Sequence, residues 1–101
     1  MENYMCVVCG KEIENFRDGL FVKIEDRNGR ILNVVPVHKG KCDDDLRKTG
    51  RRKGLNTNRS MEISFFSTEE ERKEYLNGTF AMTNEQFFHK FFNEDGTLKQ
   101  Q

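Results

Sequence analysis

The chain places β-branched and aromatic residues in two adjacent runs, Leu20-Phe21-Val22-Lys23-Ile24-Glu25 and Ile31-Leu32-Asn33-Val34-Val35-Pro36-Val37. Both read as strands. Between them Asp26-Arg27-Asn28-Gly29 offers the asparagine-glycine pair that favours a type I′ hairpin turn. Pro36 belongs at a strand end or on an edge, because it has no N–H for a ladder. Upstream, Ile13 to Asp18 is turn-rich and ends at Gly19. Downstream, Cys42 to Lys48 reads as a short helix stopped by Gly50. Its acids fall in the first turns and Arg47 and Lys48 in the last, as the helix dipole prefers. The polar stretch 49–60 then reads as a connector. Met61 to Phe66 predicts another strand, pairing with the hairpin. Ser67 is expected as an N-cap with Glu70 at the capping-box position, opening a helix through Arg72, Tyr75 and Leu76 to Asn77, with Gly78 as its stop. Thr83-Asn84-Glu85-Gln86 opens a last helix that lays Phe87, Phe88, Phe91 and Phe92 on one face. Glu94-Asp95-Gly96 turns the chain out, and the terminal residues are expected to fray.

Candidate chemistry is concentrated in the cysteines. There are three, at positions 6, 9 and 42, and an odd number does not close a disulfide framework. Cys6-Val7-Val8-Cys9-Gly10-Lys11 has the spacing of a zinc knuckle, in which a tight turn brings two thiolates onto one ion. His38-Lys39-Gly40-Lys41-Cys42 forms a second half-site. If a helix starts there, His38 and Cys42 project from one face. Cys6, Cys9, His38 and Cys42 together make a closed Cys3His set for one structural Zn2+, with His89 as the rival fourth ligand. A thioredoxin-like redox pair would require a preceding strand and a following helix, and neither pattern flanks Cys6 and Cys9.

Knuckle, hairpin, then a helix carrying the second ligand pair: this order resembles the treble-clef zinc fold. The resemblance rests on CVVCGK, the hairpin around Asn28-Gly29, and VHKGKC leading into DDDLRK. It covers roughly residues 4–50. The last ligand pair is three residues apart, where many treble-clef modules, LIM-type halves among them, have two, so no particular family is identified. The resemblance implies an α+β architecture and a metal while leaving function open. The expected organisation is a zinc-binding module over 1–50, a basic connector over 51–60, and a phenylalanine-rich helical extension over 61–101 packed on it.

Composition sharpens this picture. The chain has 101 residues, enough for one domain or a module with an appendage, and 35% of them are hydrophobic against 34% charged. That is a thin apolar supply, which a metal would supplement. Formal net charge is zero, which excludes a uniformly basic coat or an acidic tail. The zero is an average: residues 1–60 hold thirteen basic and nine acidic side chains, and residues 61–101 hold four and eight. Seven of the nine phenylalanines fall in the second part. No apolar run approaches the length of a membrane span, and no secretory signal is visible at the N-terminus, so the expectation is a cytoplasmic chain with no membrane partner.

Two surfaces are candidates for partners. Lys39, Lys41, Arg51, Arg52 and Lys53 would grip phosphates of a nucleic acid, or would merely keep a linker solvated. Phe87, Phe88, Phe91 and Phe92 would dock a protein partner, or would form core against the hairpin. No nucleophile elbow or phosphate-binding glycine loop occurs, and a closed Cys3His site has no open coordination position. No catalytic residue is therefore expected. The expected function is a small non-catalytic zinc protein that binds a protein partner, in the manner of a bacterial or phage accessory protein. Nucleic-acid binding is the alternative. Oligomeric state is not legible.

Overall fold

The computed structural model describes residues 3–77, 83–94 and 98–99. It is an α+β fold in which a three-stranded antiparallel sheet is covered on both faces. A two-stranded ribbon comes first, β1 (Tyr4–Met5) against β2 (Glu12–Ile13), with Tyr4 opposite Ile13. A 3-10 turn over Phe16–Asp18 leads into β3 (Gly19–Glu25) and β4 (Ile31–His38). Helix α1 (Lys41–Arg52) and strand β5 (Asn56–Glu62) follow, then a 3-10 turn at Ile63–Phe65 and helices α2 (Glu69–Asn77) and α3 (Asn84–Phe91). The sheet order is β4-β3-β5.

Opposite residues of an antiparallel pair share a face, so the register fixes what each side packs against. Phe21, opposite Pro36 and Met61, meets the rings of Tyr4, Phe66 and Tyr75 at 5.2, 5.8 and 5.9 Å. That face is closed by β1 and α2. Ile24 lines a small cavity with Leu46, Thr49, Gly50, Leu55, Phe87 and Phe91, so α1 and α3 close the other face. Burial on both sides explains why β3 and β4 read as near-continuous apolar runs. The core is a single cluster running from Tyr4, Cys6 and Ile13 through the sheet to Leu76 and Phe92.

Several local expectations shift. The hairpin loop is not type I′, because that turn needs two residues at positive φ and only Gly29 has one, at 82°. Asp26 N–H donates to the Arg30 carbonyl at 2.9 Å, and the Asp26 carboxylate accepts from Asn28 N and Arg30 N, so three residues bridge the strands. Helix α1 does not stop at Gly50. It continues to Arg52 and closes on Gly54, at φ 75°, with Leu55 N–H donating to Gly50 O at 2.7 Å and Gly54 N–H to Arg51 O at 3.2 Å. This is a Schellman closure.

The expected connector over 51–60 is consequently the end of a helix and most of a strand. Thr57 is buried, and Ser60 and Arg59 pair with Val22 and Lys23. The strand expected over Met61 to Phe66 therefore begins five residues earlier and ends at Glu62. The α2 cap is Thr68 rather than Ser67: its hydroxyl accepts from Glu71 N–H at 3.1 Å and donates to the Glu71 carboxylate. Gly78 lies outside the described residues. Thr83 caps α3 in a capping box with Gln86. Of the terminal residues expected to fray, the described Leu98 and Lys99 are instead held in place, and the others lie outside the described residues. Leu98 bridges Phe92, and Lys99 N–H donates to Phe91 O at 2.8 Å.

Candidate metal centre

Three elements deliver the four donors. Cys6 and Cys9 lie on the turn between β1 and β2, His38 is the last residue of β4, and Cys42 sits in the first turn of α1. The turn is closed by Cys6 N–H donating to Lys11 O and Gly10 N–H to Cys6 O, each at 2.8 Å. Gly10 takes φ 75°, a conformation that costs a β-carbon-bearing residue. The knuckle is tied to the sheet by Val7 N–H donating to Pro36 O at 3.0 Å, two residues before His38.

The donor atoms of Cys6, Cys9, His38 and Cys42 all lie within 4.8 Å of one another. Cys9 Sγ and His38 Nδ1 are 3.4 Å apart. A tetrahedral ion with sulfur ligands at about 2.3 Å has sulfur–nitrogen edges of about 3.6 Å and sulfur–sulfur edges of about 3.8 Å, so the cluster is close to the size of a filled site. His38 Nε2 stands 3.2 Å from the Glu12 carbonyl, which can only accept, so Nε2 carries the proton. The Nδ1 lone pair is left facing the sulfurs. Such an outer partner is the usual means of fixing a ligand imidazole's tautomer. The Cys6 sulfur also accepts from His38 N–H at 3.4 Å.

Electrostatics inside the cluster point the same way. Burial above all, with the charges and hydrogen bonds of Cys6 and Cys9 acting the same way, pushes the Cys42 thiol up to about 12. Cys9 moves the other way. Its partial burial acts upward but is outweighed by the Lys11 N–H, the Cys6 and Cys42 thiols and the Lys11 charge. Cys42 thus holds its proton beside the other sulfurs unless a cation neutralises the group. The group can hold a metal ion.

The sequence expected His38 and Cys42 on one helical face, and this is corrected. His38 ends a strand, and Gly40 at φ 84° turns the chain before α1 begins. The pair converges across a corner, which three intervening residues suffice to make. His89 is exposed on α3, 3.8 Å from Glu85, outside the cluster. The Glu12 carbonyl left no signal in the sequence, since any residue supplies a backbone oxygen.

The other candidate residues are redistributed. Lys39 pairs with Glu62 at 2.7 Å, and Lys41 is exposed at the start of α1, whereas Arg51 and Arg52 are exposed at its far end. A helix of this length separates the two groups by about 18 Å. Lys53 is half-buried, its ammonium 5.6 Å from the Phe91 ring centre. The apparent basic cluster over 39–53 is therefore two groups. Phe87, Phe91 and Phe92 are buried, so they are core rather than a docking face. Phe87 and Phe91 line the small cavity under α1. Phe88 is half-buried and, with Met5, Val7, Val35, Pro36 and Glu85, borders a groove of about 290 Å³. Among the described residues no helix is long and apolar enough to cross a membrane. The chain matches no protein-family model, no curated protein and no solved structure.

Proposed function

We propose that Cys6, Cys9, His38 and Cys42 hold one structural Zn2+ and that the chain is a non-catalytic binding module on a treble-clef-type scaffold. The observation that carries the reading is the convergence of three sulfurs and one correctly oriented imidazole nitrogen within 4.8 Å. Soft thiolates with imidazole in a small tetrahedral set suit zinc better than the oxygen-seeking cations. The order knuckle, hairpin β3–β4 and helix α1 supports the treble-clef assignment. Four protein donors complete the tetrahedron and leave no position for a reacting water, so the ion's role is to join knuckle, strand and helix. Three thiols gathered for a metal rather than paired as a disulfide fit a reducing, cytoplasmic setting.

For the partner, burial of Phe87, Phe91 and Phe92 takes away the apolar face on which a protein-docking role rested. The nucleic-acid alternative is thereby favoured, through the far end of α1 at Arg51 and Arg52 rather than through residues 39–53 as one cluster. Native mass spectrometry tests the zinc reading: one zinc per chain is expected, lost on chelation together with the native circular dichroism spectrum. A metal-free chain that keeps its fold would overturn it.

A further inference from the structure

The sheet gives the molecule two ends. At one, Gly19 pairs with His38 and Leu20 with Glu62, next to the metal cluster. At the other, Glu25 pairs with Ile31 and Asn56, beside the hairpin loop. Helix α1 starts at the metal end and finishes at the loop end. There Gly54 lies against the Arg27 guanidinium so closely that a β-carbon would stand 2.7 Å from Arg27 Nε. The loop and the helix terminus, some 25 residues apart in sequence, thus form one surface. It carries Arg27 and Arg30 from the loop, and Lys48, Arg51 and Arg52 from α1, all exposed. Lys48, Arg51 and Arg52 lie at i, i+3 and i+4, on one side of the helix, and line a shallow open depression of about 540 Å³.

Four of these five cations are not consumed by the fold. Arg27, Arg30, Lys48 and Arg51 take part in none of the ion pairs among the described residues. The α1 carbonyls they might have capped are already satisfied by Lys53, Gly54 and Leu55 N–H groups. Acids at this end are occupied: Asp26 accepts two loop N–H groups, and buried Glu25 faces Arg59 Nε at 3.6 Å. On α1, Asp43 is buried and paired with Arg47 at 3.3 Å. Asp44 and Asp45 stand beside Lys48, so the four arginines carry most of the positive field.

From this placement we infer that the loop end is a docking surface for the phosphate backbone of duplex nucleic acid. The cations are spread over a helix end and a loop tip rather than aimed at one point, which suits a repeating anion better than a single small one. Arginine predominates, and its planar fork matches phosphate oxygens two at a time. A protein partner would call for an exposed aromatic or aliphatic anchor. Among the described residues the exposed large hydrophobics, Met5 and Phe65, both lie at the metal end. Among the described residues no exposed aromatic ring stands at the loop end as a platform for stacking unpaired bases, so a duplex fits better than a single strand there. Binding through backbone phosphates alone carries no base readout.

The inference rests on the chain being a binding module, not on the identity of its metal. The test is fluorescence anisotropy of the full chain with a labelled DNA duplex of about 20 base pairs, across a salt series, with metal content measured on the same samples. Affinity should fall steeply with salt. Arg30→Gln/Arg51→Gln and Arg27→Gln/Arg51→Gln should each weaken binding at low salt by about tenfold or more and flatten the log–log salt slope by about two. Lys39→Gln/Lys41→Gln, at the metal end, should change neither. Absence of binding by folded, metal-loaded protein would overturn this inference alone. So would an equal loss in the Lys39/Lys41 control, tighter binding of oligo(dT), or displacement by poly-glutamate as readily as by unlabelled duplex. Normal duplex binding by a chain that carries no metal would instead overturn the zinc reading.

Discussion

Gly50, on the inner face of α1, lies against Thr57 of β5 so closely that a β-carbon would stand 2.8 Å from the Thr57 methyl. Both residues are buried. A glycine in mid-helix costs about 1 kcal/mol against alanine, so its presence marks a place where the helix must approach a strand. This approach sets the position of a helix that begins at Lys41, carries Cys42 in its first turn and ends among the loop-end arginines. Gly50→Ala is therefore expected to destabilise the fold by about 1–3 kcal/mol despite the better helix propensity of alanine. Denaturant unfolding of Gly50→Ala and of Gly50→Ala/Thr57→Ser measures it. Removing the clashing methyl should recover most of the loss, and a double variant as unstable as the single one would disprove steric contact.

The imidazole assignment separates the two histidines. Cobalt(II) titration followed by its thiolate charge-transfer and visible bands should show a tetrahedral, three-sulfur site in the native chain. His38→Ala should weaken metal binding by more than the about 10–100-fold typical of losing an outer-shell partner. His89→Ala, removing an exposed side chain next to Glu85, should leave affinity and spectrum unchanged. The reverse pattern would move the fourth ligand to α3.

Core and surface phenylalanines should part sharply. Phe87 is buried against Phe91 at a ring separation of 4.7 Å, so Phe87→Ala should cost about 3–5 kcal/mol. Phe65 is 72% exposed, and Phe65→Ala should change stability by no more than about 0.5 kcal/mol. Urea midpoints of the two variants check this. Equal effects would mean that α3 does not pack on the sheet in solution.

A pH-dependent signature belongs to the Lys39–Glu62 pair at the metal end of the sheet. The Lys39 ammonium, 2.7 Å away, donates a hydrogen bond to the Glu62 carboxyl and holds it below its ordinary value of 4.5. A carboxyl lowered in this way stabilises the folded state above its unfolded pKa, and the contribution fades as pH falls through the lower folded value. Carbon-detected NMR should place the Glu62 midpoint under 4.5, and Lys39→Gln should bring it back up. An unmoved midpoint in the variant would show that the pair does not form in solution. Because both groups are solvent-accessible, the accompanying change in stability should be small and should weaken with salt.

The four metal-site residues were legible in the sequence because their signal is chemical and local. Cys6 and Cys9 are joined by a single turn, and His38 and Cys42 by a single corner, so spacing alone names them. Helix α3 was legible for a similar reason, its Thr83–Gln86 capping box being complete within four residues. The strands β3 and β4 showed their composition but not their turn, since Asn-Gly permits a type I′ loop without requiring it. Where two glycines competed to end α1, local propensity favoured the nearer one. The outcome followed from Gly50 being needed as a space under Thr57, which made Gly54 the terminus.

What the sequence determined by itself is therefore the α+β class, the hairpin, and the residues able to hold a metal: each depends on neighbours a few positions apart. Only the tertiary structure decided that polar Asn56–Glu62 is a strand, because its pairing with β3 supplies what its composition does not. Tertiary packing likewise buried Phe87, Phe91 and Phe92 and left Phe88 half-buried. It also divided the basic residues. A rigid helix carries Arg51 and Arg52 away from Lys39 and Lys41, and the β3–β4 loop brings Arg27 to them. Charge along a chain is counted by position, but its field is summed over space, and the fold sets those distances.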